Sequence, residues 1–223
     1  MCIPVRPVRV RFAKKGRAVY ISHLDLNRCM SRALVRAGIP VWHTQGFNPH
    51  PYITFALPLS LFFESECEVM DMKINGEMAF DEIRDRLAAQ MPEGIEIREV
   101  GEPEMKAPSI AFARYEIRLV CPGTDAARLS QAVEALRERE SVPFEKVSKR
   151  HTALLDLKPY WLSAQAKAEP GLLRLEALLP ASPQETLNPT CLTATFAQFG
   201  GIAPEIDHIT RLGIYNGEHE AFR

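Results

Sequence analysis

Apolar and polar residues alternate or recur at readable periods over most of this 223-residue chain. Val8, Val10 and Phe12 alternate with Arg9 and Arg11, the period-two pattern of a strand with one apolar and one basic face. Lys14, Lys15, Gly16 and Arg17 read as a basic turn. Ser22 has the chemistry of a helix N-cap, with Asp25 three residues later. Leu26, Met30, Ala33, Leu34 and Ala37 then follow at helical spacing, and Gly38 suits the C′ position. Residues 52–59 and 67–74 predict strands, Asn75-Gly76 a turn, 79–90 an amphipathic helix and 94–100 another strand.

Residues 101–112 lose the periodicity and predict a linker. The pattern then resumes. Tyr115, Ile117 and Leu119 alternate with charges, and Thr124 is the expected cap of a helix through Leu129, Ala132, Val133 and Leu136. Extended segments follow at 143–157 and 171–179. A helix is expected over 187–199, with Asn188 as cap and Pro189 in its first turn, and a last strand over 208–215. Each half therefore reads in the order of a split βαβ unit. The expectation is an α+β chain of two tandem ferredoxin-like (βαββαβ) domains with antiparallel sheets, at 1–104 and 113–223.

Charge adds a feature that periodicity does not show. The net is −1, yet residues 1–52 carry nine Lys/Arg against the single acid Asp25, a net of +8. Residues 53–104 carry four against thirteen, a net of −9, and the remainder balances. Such a basic block implies either an anionic partner or internal pairing with the acidic block. Arg28, Arg32 and Arg36 lie four apart on one helix face, and Arg9, Arg11, Lys14, Lys15 and Arg17 add to them. Forked guanidinium donors in a cluster suit phosphate. Lys149 and Arg150 sit beside an apolar run ending in Tyr160 and Trp161. That mixture suits single-stranded nucleic acid, or places the aromatics in a core.

The stretch HTQGFNPHP, residues 43–51, concentrates polar chemistry between prolines. Gln45, Phe47, Asn48 and His50 have the chemistry of a recognition lip: a ring to stack on, and amides for base edges. His23, His43 and His50 are the candidates for acid–base work, although no nucleophile or base partner is evident for them. Two histidines seven apart lack metal-site spacing, so no metal is expected. Cys2, Cys29, Cys67, Cys121 and Cys191 are scattered, which argues against disulfides or an iron–sulfur cluster in this chain. No Walker loop, dinucleotide fingerprint or hydrolase elbow occurs, so a self-sufficient enzyme is not expected. No apolar run reaches membrane-spanning length and the N-terminus has no signal-like apolar core. A soluble cytoplasmic protein is expected.

Arg11-Phe12, Lys14, Gly16, Ser22 to Asp25, Gln45 to Pro51 and Ala56 to Leu59 together resemble the radical-SAM-linked domain family of unknown function. The match is specific over about residues 8–60. The resemblance implies a radical SAM protein as partner, carrying the iron–sulfur cluster, S-adenosylmethionine and cobalamin, with no cofactor bound by this chain. The start of the chain also resembles the tandem ferredoxin-like RNA endonucleases of CRISPR systems, but only Gly200-Gly201 is left of their glycine-rich loop. The resulting expectation is an accessory or substrate-binding subunit that binds RNA, tRNA or rRNA, through its basic N-terminal surface. The alternatives are a metal-independent RNA endonuclease using a loop histidine, and a protein-binding module docking on the radical SAM partner.

Overall fold

The computed structural model describes residues 4–147 and 152–223. It divides into two compact units, one of residues 1–110 with Glu220–Arg223, the other of Ala111–His219. The chain is mixed α+β.

The first unit runs β1 (Val5–Lys14), a 3-10 turn (Gly16–Tyr20), α1 (His23–Arg36), β2 (Ile53–Phe55), β3 (Glu64–Asn75), α2 (Phe80–Ala88) and β4 (Ile95–Gly101). The sheet order is β4-β1-β3, with β2 added on the far side of β3. The pairs β1–β3, β1–β4 and β2–β3 are all antiparallel. Alternation fixes the faces: Val8, Val10 and Phe12 of β1 meet Met70, Met72 and Ile74 of β3 under Leu26, Met30 and Leu34 of α1 and Ile83 and Leu87 of α2. The same period carries Lys14 inward, two residues past Phe12. It belongs to the strand rather than to a turn, and is only 2% exposed.

Helix α1 starts and stops by side-chain and backbone chemistry. Ser22 Oγ accepts the Asp25 amide at 3.2 Å, satisfying an orphan donor. At the other end Gly38, at φ 65°, donates to Val35 O at 3.1 Å, while Ile39 donates to Leu34 O at 3.2 Å. That pair is the Schellman arrangement, which needs a residue without Cβ strain at C′.

The second unit contains β5 (Ile110–Val120), α3 (Ala126–Glu138), the hairpin β6 (Pro143–Val147) and β7 (Thr152–Asp156), α4 (Lys158–Ser163), β8 (Gln165–Glu169), β9 (Leu172–Pro180), α5 (Thr190–Gly200) and β10 (Glu205–Asn216). The main sheet order is β10-β5-β9-β8, and β6-β7 forms a separate ribbon. Here β5–β9, β6–β7 and β8–β9 pair antiparallel. Inward Tyr115, Ile117 and Leu119 face a core with Leu129, Val133, Trp161 and Phe196. Outward Arg114 and Arg118 reach Glu176 at 3.4 Å and Asp207 at 3.2 Å.

Several boundaries differ from the sequence reading. Asp125, not Thr124, caps α3, accepting the Arg128 amide at 2.7 Å. Only Ile53–Phe55 of 52–59 pairs as strand; Pro58 has no N–H to extend it. The short α4 and the edge strand QAKAE were not foreseen, since neither has a clear apolar period. Residues 220–223 pack with the first unit rather than the second.

Candidate functional site

The basic block divides into an inward and an outward set. Arg9 lies on the β1 face opposite Phe12, yet is 3% exposed. Its Nε and Nη2 bind Asp71 at 2.7 and 2.8 Å, a two-pronged pair across the β1–β3 register. Its Nη1 donates to Arg223 O, and its guanidinium lies 4.5 Å from the centre of the Phe222 ring. Arg11 donates to Phe222 O and stands 3.9 Å from Glu99. Arg9 and Arg11 thus face protein groups of their own unit. Lys15 reaches Glu66 at 2.5 Å, and Arg6 reaches Glu102 at 2.8 Å. The basic and acidic blocks of the sequence pair at these points.

Lys14 Nζ donates to Val19 O at 3.4 Å within the protein interior. Burial pushes its pKa below the ordinary value, against the opposing field of Glu68, itself 1% exposed. Lys14 is therefore a structural cation beneath the 3-10 turn and is not offered to solvent.

Arg17, Arg28, Arg32 and Arg36 are outward and exposed. Arg28 pairs with Asp25 at 3.1 Å. The Asp25 carboxyl is held below the usual carboxylate range, first by the Ser22 hydroxyl and then by Arg28. Arg36 donates to the side chain and backbone oxygens of Gln90 at 3.2 and 3.1 Å. Arg17 and Arg32 have no partner among the described residues. Asp25, Arg28, Cys29, Arg32 and Arg36 line one open cleft along α1.

The 43–51 stretch is a side hairpin. His43 bridges Pro51, Thr44 N–H donates to His50 O at 2.9 Å, and Tyr52 N–H donates to Trp42 O at 2.9 Å. Its stem is fixed to β3 by Trp42 N–H on Lys73 O at 2.8 Å, with Lys73 Nζ 4.8 Å from the Tyr52 ring centre. The tip residues Gln45, Phe47, Asn48 and His50 are exposed, Phe47 entirely so.

The histidine rings are tied locally. His43 Nδ1 donates to Val41 O at 3.0 Å. His50 Nδ1 sits 3.2 Å from Asn48 O and 3.1 Å from Thr44 Oγ1. A carbonyl only accepts, so His43 Nδ1 is the donor in its bond, whereas His50 Nδ1 has both a carbonyl and a hydroxyl as partners. His23 packs edge-on against Phe55 at 5.1 Å, on α1 rather than on the hairpin. No three His, Cys, Asp or Glu among the described residues gather closely enough to hold a metal ion.

Lys149 and Arg150 fall outside the described residues. Trp161 is fully buried, its indole N–H on Thr195 Oγ1 at 3.0 Å, so it is a core residue and not a stacking surface.

Exposed apolar residues not evident from the sequence lie at Tyr20 and Phe62. Tyr20 is 71% exposed and meets Phe62, 59% exposed, edge-on at 5.9 Å. Leu24 and Leu61 are exposed beside them in sequence. Leu24 carried a signal, because it lies off the Leu26-Met30-Leu34 core spacing of its helix.

No curated protein matches the chain. Among solved structures, a chain of "Crystal Structure of a Cbf5-Nop10-Gar1 Complex" is similar at a TM-score of 0.50 and 8% identity, over 92% of this chain and 47% of that one. This chain thus spans about half the length of that relative, and the likeness concerns the fold. "Crystal Structure of an Unknown Protein from Galdieria sulphuraria" aligns over 93% of this chain and 99% of that one at 15% identity. Its TM-score of 0.27 is too low to carry structural weight. No helix among the described residues is long and apolar enough to cross a membrane. A family model described as "Uncharacterized protein conserved in bacteria (DUF2344)" matches residues 7–189, most of the chain, and the protein therefore belongs to that family.

Proposed function

We propose that the first unit binds RNA along the arginine face of α1, and that the chain serves a radical SAM enzyme as an accessory, substrate-presenting subunit. One observation carries the RNA reading. Arg28, Arg32 and Arg36 are exposed and line one open cleft, Arg32 with no partner among the described residues, whereas Arg9 and Lys14 are buried and bonded within the protein. Like charges at i, i+4 spacing weaken a helix by a few tenths of a kcal/mol per pair, and a polyanion would relieve that repulsion.

The radical SAM association rests on the resemblance in residues 8–60, with the iron–sulfur cluster, S-adenosylmethionine and cobalamin assigned to the partner. The fold reading goes with it. The orders β4-β1-β3-β2 and β10-β5-β9-β8 support two ferredoxin-like units, the second with α4 and the β6-β7 ribbon inserted.

RNA affinity measured against salt tests this reading. Wild type should show a linear log–log dependence, and each of Arg28→Ala, Arg32→Ala and Arg36→Ala should flatten it by about 0.7 for a single strand. Bound RNA should also shield Cys29, in the same cleft, from alkylation. A flat wild-type slope, or unchanged Cys29 labelling at saturating RNA, overturns the reading.

A further inference from the structure

We infer that Tyr20 and Phe62 form a stacking platform for unpaired bases, so that the ligand of the arginine face is single-stranded RNA and not duplex. This inference rests on the reading of that face given above.

The two rings meet edge-on at 5.9 Å and keep most of their surface in water. Large aromatics usually contribute to cores, and here Phe63, the next residue, does so at 8% exposure. Phe62 instead takes φ 68°, a left-handed backbone that L side chains rarely adopt. A bulky residue held there, with its ring in solvent, suggests a use for the ring.

The backbone beneath the rings is hydrogen-bonded. Phe62 N–H donates to Val19 O at 3.0 Å, and the buried Lys14 amine donates to the same carbonyl. Gly16 N–H donates to Glu64 Oε1 at 2.9 Å, and Ile21 N–H to Ala18 O at 3.0 Å. The 3-10 turn that carries Tyr20 and the turn that carries Phe62 are thus joined at two points.

Cations precede and follow Tyr20 along the chain. In a 3-10 helix residues i and i+3 eclipse, so Arg17, which has no partner among the described residues, lies beside Tyr20. Later in the chain, Leu24, Arg28, Arg32 and Arg36 follow at steps of four along α1. A guanidinium, two ring faces and a row of guanidiniums suit a strand whose phosphates and bases are both accessible. A duplex keeps its bases stacked internally and offers them no ring to meet.

Fluorescence anisotropy with labelled oligouridylate and with a blunt RNA duplex tests the platform. Wild type should favour the single strand. Tyr20→Ala should weaken oligouridylate binding by about tenfold while Tyr20→Phe retains it, and neither should change the salt slope. Phe62→Gly removes the ring at a backbone angle glycine accepts, so it should keep the fold and lose a comparable factor. Equal binding of duplex and single strand, with neutral Tyr20 and Phe62 variants and an intact salt slope, overturns the platform alone. No salt-dependent binding of either RNA overturns both readings. Loss of affinity for a radical SAM protein, with RNA affinity unchanged, makes the rings a protein-docking surface and overturns the inference.

Discussion

The Arg9–Asp71 pair offers an unequal pair of substitutions. Arg9 is 3% exposed, whereas the Asp71 side chain is 25% exposed. Deleting Asp71 strands a guanidinium that has lost two charge-assisted bonds and cannot turn to water. Truncation of one partner of a buried pair costs about 3–5 kcal/mol. Deleting Arg9 leaves a carboxylate at the surface that water can solvate, and Met keeps much of the aliphatic stem's packing. The loss is then closer to that of the hydrogen bonds themselves, about 1–3 kcal/mol. Asp71→Ala should therefore destabilise the first unit more than Arg9→Met, by about 2 kcal/mol on the same principles.

Urea unfolding followed by tryptophan emission measures the difference. Trp42 lies in the first unit and Trp161 in the second, so a Trp161→Phe background isolates the signal of interest. Equal losses, or a greater loss for Arg9→Met, would refute the burial argument. Arg9→Met should also leave the salt slope of RNA binding unchanged, because that guanidinium faces Asp71, Phe222 and Arg223 O.

Two further outcomes follow from buried ionisable groups. Burial holds the folded pKa of Lys14 below its ordinary 10.5, so between those values the unfolded chain binds more protons and stability rises with pH. Wild type should gain in urea midpoint relative to Lys14→Met as pH climbs toward 10.5, and parallel curves would refute the assignment. Burial pushes the Cys191 thiol up to about 12, so in the folded protein it should resist iodoacetamide while half-exposed Cys29 reacts. Mass mapping that finds Cys191 labelled first would contradict this.

The strands and helices of the first unit were legible because each has a clean period and chemically marked ends, such as Ser22 and Gly38. Lys14 shows how a residue-type habit can override a period. Its charge suggested a turn, yet Val8, Val10 and Phe12 already placed it inward. Arg28, Arg32 and Arg36 were legible as one face because helical spacing is local. The burial of Arg9 was not, since its covering group, Phe222, lies 213 residues away in the chain and no local pattern joins them. Tyr20 and Phe62 were missed for a similar reason: a ring's exposure depends on the turn geometry of Phe62, which sequence does not display. The strand QAKAE lacked an apolar stripe because β8 lies at one end of its sheet path.

The first unit is discontinuous along the chain: Glu220–Arg223 complete it after the whole of Ala111–His219 has been made. At translation speeds of about 5–20 residues per second, the intervening segment takes roughly 5–20 s to emerge. For that interval the nascent N-terminal unit lacks the ring and carbonyls that cover Arg9 and Arg11. Its maturation is thus timed by synthesis of the intervening unit.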